Sequence, residues 1–260
     1  MTLAEYKRLE AEKLALQKAK PHQKISNTFI DNTVAKNNIG AIKTIYYLAS
    51  VIEKMETFDV GADERAGLLF VEIDTREMLK YTKLTLPEIR RNLKAMQETS
   101  ITFINEKENW EIGISLLPKY EFKYGKNKIY IEVFQKIANL IVEVKSNYTM
   151  VNTKQLMNLK SKHSLRLLPL LQKIANYSKE VGKRKRMKLI ELNEFFGTKY
   201  KTLFDIERRI LMPVKEELDC KSNLSFIYEV NFIQLDKGRP KAHNIVIDVI
   251  ERNSYQGKLL

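Results

Sequence analysis

Between positions 199 and 217 the chain reads KYKTLFDIERRILMPVKEE. Leu203, Ile206, Ile210, Val214 and Leu218 recur at helical spacing, so one side of this segment belongs to a core. The other side carries Arg208 and Lys215, with Arg209 near the boundary and Lys199 and Lys201 arriving from the preceding loop. Guanidinium and ammonium groups on one helix face donate charged hydrogen bonds to anions, above all to phosphates and to guanine edges. Thr202 is placed to accept a backbone N–H as N-cap, and Asp205, three positions on, lies near the positive end of the helix dipole. We read the segment as a DNA-recognition helix. A basic helix face alone is more often a solvated surface, so the reading rests on its neighbours.

Composition agrees with a polyanionic partner. The 260 residues carry a net charge of +13, with a pI near 9.5 and 44% hydrophobic residues, enough for one large or two small cores. Nucleic acid, an anionic membrane surface and an acidic protein all fit such a charge. No run approaches the ~18 apolar residues of a membrane span, and the charged N-terminus does not read as a signal peptide. Cys220 stands alone, and His22, His163 and His243 are far apart, so neither a disulfide nor a metal site is expected. A rolling-circle replication enzyme would need a close histidine pair beside a nucleophilic tyrosine, and an NTPase would need GxxxxGK[ST]; neither pattern is present. The expectation is a soluble, metal-free and cofactor-free binding protein rather than an enzyme.

Residues 1–20 read as a charged helix with a ragged apolar stripe from Leu3 to Leu16, either docked or solvated. A polar connector runs to Asn38. Ile42, Ile45, Tyr46, Ala49 and Ile52 then mark a buried helix face. The apolar run 68–73 predicts a strand, and Asp74 with Glu77 caps a short helix ending near Tyr81. Thr85 with Glu88 caps a second helix, with Pro87 in its first turn. That helix buries Ile89, Leu93 and Met96 and turns Arg90, Arg91 and Lys94 outward. Two short helices about a tight turn, followed by the strand-like runs ITFIN and WEIGISLL, give a helix-turn-helix with a hairpin wing. YEFKY and KIYIEV add a strand pair around the turn 125–127.

The second half repeats the order. An apolar helix over 161–178, the helix LIELNEFFG ending at Gly197, the segment 202–218, and strands NLSFIYEVNFIQL and KAHNIVIDVI turned at 236–240 each lie about 115 to 120 positions after a counterpart. The expected architecture is α+β, with two tandem winged-helix domains. Residues 1–38 form the N-terminal helix and connector, 39–145 the first domain and 146–260 the second, joined through 137–160.

Three segments of the second half, SKHSLRLLPLLQKIANY, FDIERRILMPVKEELDCKSNLSFIYE and KGRPKAHNIVIDV, resemble in order and spacing the second winged helix of the theta-type plasmid replication initiators, the initiator Rep protein family. In the first half, YYLASVI and IYIEVFQKIANLI carry a looser likeness. Leu168-Pro169 departs from the family, which often has an aromatic and an acidic residue there. The resemblance implies a bacterial cytoplasmic protein that binds directly repeated iterons in a plasmid origin as a monomer, helps open adjacent DNA for the host helicase, and as a dimer represses its own gene at an inverted repeat. Partners of that kind are the host replication initiator, helicase and chaperones. The alternative is a dimeric winged-helix repressor without an initiator role.

By that resemblance Arg208 matches the family arginine that faces the major groove. Arg209 serves a phosphate or an acidic neighbour. Lys199, Lys201 and Thr202 suit phosphate or base contact at the helix N-terminus. Arg90, Arg91 and Lys94 are the first-domain counterparts. Lys183, Arg184, Lys185 and Arg186 form a basic run read as phosphate-contacting or as a solvated loop, and Lys237 and Arg239 lie in the second wing. Pro213, which the family shares, implies a helix kink. Dimerisation is expected through the first domain, using the strand pair 120–133 and residues 1–20.

Overall fold

The computed structural model describes residues 22–26, 38–52, 67–98, 100–105, 110–115, 117–134, 138, 148–177, 182–234 and 240–251. The charged helix expected over residues 1–20 lies outside them. The chain folds as α+β, with two winged-helix units whose apolar residues join one continuous core.

The first unit begins with α1 (Ile39–Ile52), which buries Ile42, Ile45, Tyr46, Ala49 and Ile52 as the periodicity requires. Asn38 starts it, its side-chain oxygen accepting from Gly40 N–H at 2.9 Å. Strand β2 (Leu68–Asp74) runs into α2 (Thr75–Thr82), where the Asp74 carboxylate accepts from Glu77 N–H at 3.0 Å. Lys83 ends α2 in the left-handed region at φ 57°. In α3 (Leu86–Gln97) the Glu88 carboxylate accepts from both the N–H and the hydroxyl of Thr85, each at 2.7 Å. The wing, β3 (Ser100–Asn105) and β4 (Trp110–Ser115), forms its own two-stranded sheet. The following pair, β5 (Lys119–Lys123) and β6 (Lys128–Phe134), does not extend that wing; β6 pairs with β2 to give the antiparallel order β2-β6-β5. Ile129, Ile131 and Val133 alternate into the core.

Two sequence expectations for the connections change. The connector before Asn38 contains strand β1 (His22–Ser26), and the join 137–160 contains β7 (Tyr148–Asn152), antiparallel to β1, followed by α4 (Thr153–Asn158). Neither strand has a long apolar alternation, and their pairing spans most of the first unit. Helix α5 (Lys162–Ala175) then runs unbroken through buried Pro169 and packs against both α1 and the second unit.

The basic run at 183–186 is also not a loop. Arg184, Lys185 and Arg186 lie in β8 (Arg184–Lys188), an edge strand of the sheet β8-β10-β9 formed with β9 (Leu224–Ile233) and β10 (Lys241–Glu251). Met187, facing the core, is its one apolar anchor. Helix α6 (Leu189–Phe196) ends at Gly197, φ 65°, a conformation in which glycine carries no Cβ penalty. The segment expected as one kinked helix is α7 (Leu203–Ile206), a π-helical turn Glu207–Leu211, and α8 (Met212–Lys221). Met212 N–H bonds to the Glu207 carbonyl, and Pro213 thereby falls in the first turn of α8, where a missing N–H is tolerated.

Candidate nucleic-acid interface

In the second unit the turn between α6 and α7 is tied by Asn193. Its amide NH2 donates to the Tyr200 carbonyl at 2.9 Å, and its oxygen accepts from Tyr200 N–H at 2.9 Å and from the Thr198 hydroxyl at 2.8 Å. This fixes the backbone around Lys199 and Lys201, whose side chains are exposed. The Thr202 hydroxyl accepts from Asp205 N–H at 3.1 Å and donates to the Asp205 carboxylate at 2.7 Å, so the cap engages it on both sides. The cap stands where the sequence pattern places it, whereas Asn193 carries no local sequence signal, because its three bonds depend on the folded turn.

Beyond the cap the arginines diverge. Arg209 is drawn to Asp205, 3.7 Å away, and lies 5.7 Å from the Tyr200 ring centroid. Arg208 is exposed and has no acidic partner among the described residues. Lys215, expected on the basic face, is half-buried and paired with Asp219 at 2.7 Å. The π-turn is steadied from the wing, because the Tyr228 hydroxyl donates to Glu207 at 3.1 Å. Burial, then the hydrogen bond and charge of Glu207, push the Tyr228 phenol up to about 12.

The far end of α8 is anchored to α5. One Glu217 oxygen accepts from Lys160 N–H and from Lys221 Nζ, both at 2.7 Å, and the other accepts from Ser161 N–H at 3.0 Å. Burial works to raise this carboxyl, but the bonds from Lys221 and the two backbone N–H groups outweigh it and hold it at about 2. Nearby, Lys43 of α1 is only 6% exposed and donates to the Met157 carbonyl at 2.8 Å; burial, then Lys83, lowers its pKa. Ser222 at the end of α8 donates to Gln155 of α4 at 3.2 Å. The C-terminal end of α8 is thus mounted on the helices α4 and α5.

Two arms of the basic run are committed within its own sheet. Lys183 pairs with Glu251 at 2.5 Å and Arg184 with Asp248 at 3.0 Å, whereas Arg186 is exposed and Lys185 half-buried. Lys237 and Arg239 lie outside the described residues.

In the first unit Arg90 is held by aromatics. It donates to the Tyr124 hydroxyl, and its guanidinium lies 5.8 Å from the Phe122 and 5.6 Å from the Tyr124 ring centroids, the two rings themselves being stacked at 5.8 Å. Arg91 is exposed, and Lys94 stands 3.9 Å from Glu98 with both side chains largely in water. Among the described residues no three His, Cys, Asp or Glu side chains are grouped to hold a metal, and no helix is long and apolar enough to cross a membrane.

These two helix-turn-helix units coincide with two family matches. Residues 22–172 match "Initiator Replication protein, WH1", and residues 188–249 match "Initiator Rep protein, WH2". The first match extends past residue 145 and takes in β7, α4 and most of α5. No curated protein sequence matches the chain. Among solved structures, the Pi initiator protein in complex with iteron DNA is similar at 17% identity with a TM-score of 0.64, covering 90% of this chain and 99% of that one, a likeness of fold. With both winged-helix models matched in order along most of its length, the chain belongs to the initiator replication protein family.

Proposed function

We propose that the protein initiates replication of a plasmid by binding directly repeated iterons in the origin as a monomer, in the bacterial cytoplasm, and that as a dimer it represses its own gene. The observation that carries the reading is the pairing of two helix-turn-helix units, each with basic residues on its outer helix, in one chain of the initiator family. Two such units enter successive major grooves on one face of a duplex, so a monomer covers about 20 bp. Opening of adjacent DNA for the host helicase follows from the initiator role, with the host initiator and chaperones as further partners. Dimerisation uses the first unit, where β5 is an edge strand.

Arg208 reads guanine through O6 and N7, because it is the exposed recognition-segment arginine without a carboxylate partner among the described residues. Lys199, Lys201 and Arg186 lie along the phosphates, as do Lys237 and Arg239 in the wing, and Arg209 reaches the backbone only by leaving Asp205. In the first unit Arg91 and Lys94 contact phosphate, and Arg90 holds the aromatic turn against α3.

A footprint across a protein concentration series, on the DNA flanking the gene, tests this. Protection of several direct repeats, each about two turns long, by a species that sizes as a monomer is the expected result. Protection of a single inverted repeat by a dimer alone would leave a repressor and remove the initiator role.

A further inference from the structure

The first turn of the recognition segment carries a large apolar side chain that neither core nor cap uses. Phe204 is 64% exposed, while its neighbours Leu203 and Ile206 are buried. The core side of the segment is filled by Leu203, Ile206, Ile210, Leu211, Val214 and Leu218. The opposite side presents Phe204, then Arg208 one turn on, then Met212, also exposed. Lys201 stands exposed just before the cap. Among the described residues Phe204 meets no other ring and no cation, unlike Phe122, Phe195, Phe196 and Phe226, which pack against other rings. Its backbone is held nonetheless, since the Thr202 cap precedes it and the Asn193-tied turn leads into that cap.

An exposed aromatic between two cations is a poor fit to solvent and a good fit to a surface that is anionic at its rim and apolar in one spot. The major groove is such a surface wherever a thymine presents its C5-methyl between phosphate walls. We propose that Phe204 is a specificity-determining residue that packs on the C5-methyl of a thymine in the bound site. Four helical residues rise about 6 Å and base pairs are stacked about 3.4 Å apart, so this thymine lies within about two base pairs of the guanine read by Arg208. The inference rests on the DNA-binding reading of this segment.

The test uses the full chain and a duplex obtained by selection from random sequence. Each thymine of that duplex is replaced singly by deoxyuridine, which removes only the methyl. The wild-type protein is expected to lose about fourfold in affinity at one thymine, the value for one buried methyl, and little elsewhere. Phe204→Ala binds the thymine duplex as weakly as wild type binds the deoxyuridine one and no longer senses the replacement, while Phe204→Leu retains the preference. A wild-type protein that selects a site yet is blind to every replacement overturns the proposal, as does Phe204→Ala that still senses the same thymine. A protein that selects no site at all overturns the DNA-recognition reading itself, and an unchanged melting temperature for Phe204→Ala excludes misfolding as the cause of any loss.

Discussion

The two winged-helix units share a plan and differ in what their charged side chains touch. In the first, the wing β3–β4 is a sheet of its own and the helix α3 gives Arg90 to the aromatic turn after β5. In the second, the ten-residue β9 pairs along β10 within the main sheet, and the segment α7–α8 is braced at its π-turn by Tyr228 on Glu207 and towards its C-terminus by Glu217 on α5. These contacts leave the exposed face of the segment available, with Phe204, Arg208 and Met212 upon it. The lesson is that tandem repetition of a motif need not repeat its use. Our proposal divides the labour, the second unit discriminating sequence and the first contributing affinity and mounting.

The largest effect should come from the brace itself. Glu217→Ala leaves Lys160 and Ser161 N–H groups unpaired at the N-terminus of α5, at an expected cost of about 3 kcal/mol in denaturant unfolding. The pH dependence carries a sign. The folded carboxyl titrates near 2, below the ordinary 4.5, so its contribution is complete above about pH 4.5 and is lost as pH falls towards 2. His163 acts in the same direction at a higher pH: burial, then Lys162 and Arg166, lowers it to about 4 from 6.5. Its neutral form stabilises fully above pH 6.5, and that contribution falls away towards pH 4. Wild-type stability should therefore decline in two acid steps, and Glu217→Ala should keep only the upper one.

Next in size is the contrast between the two arginines. Arg208→Ala is expected to weaken binding to the selected site about ten- to hundredfold and to relax preference at one base pair, with unfolding unchanged. Arg90→Ala should do the reverse, costing about 0.5–1 kcal/mol of stability from the lost stacking and leaving discrimination intact. Equal loss of discrimination in both variants would break the division of labour.

A fourth substitution probes how the first unit is mounted. At Gly40 an added Cβ would lie 2.2 Å from Asn92 Nδ2, a buried side chain on α3 whose oxygen accepts from Asn38 at 3.0 Å. Gly40→Ala must push Asn92 aside and break that bond, and a net loss of about 1–2 kcal/mol is expected in thermal unfolding after the helix-propensity gain of alanine. Unchanged stability would mean that α1 shifts freely against α3.

What the sequence made legible follows from range. Asp74, Thr85, Thr202 and Gly197 act on backbone groups within a few residues, and their caps stand where the pattern places them. The partners of Arg90, Glu217 and β1 lie 34, 56 and about 125 positions away, and no local pattern encodes them. β8 escaped notice because four of its five residues are cationic and only Met187 is buried. The π-turn is not legible because proline signals a broken ladder without saying how the helix accommodates it. Of the candidate site, the cationic residues are legible from charge and period, whereas their division into committed and exposed members requires the folded acidic and aromatic neighbours.

The smallest expected effect is the most useful for deciding whether the first unit touches DNA at all. Lys94 stands too far from Glu98, in too much water, for their pairing to contribute more than a few tenths of a kcal/mol, so Lys94→Ala should barely alter unfolding. If Lys94 lies on a phosphate, its removal should weaken binding to specific and scrambled duplexes alike and reduce the slope of log K against log salt by about 0.9. Arg91→Ala should reduce it again by a similar amount, because the two positions lie three apart on one helix face. An unchanged slope in both variants would confine DNA contact to the second unit, and a footprint of about one turn rather than two would then be required of the same protein.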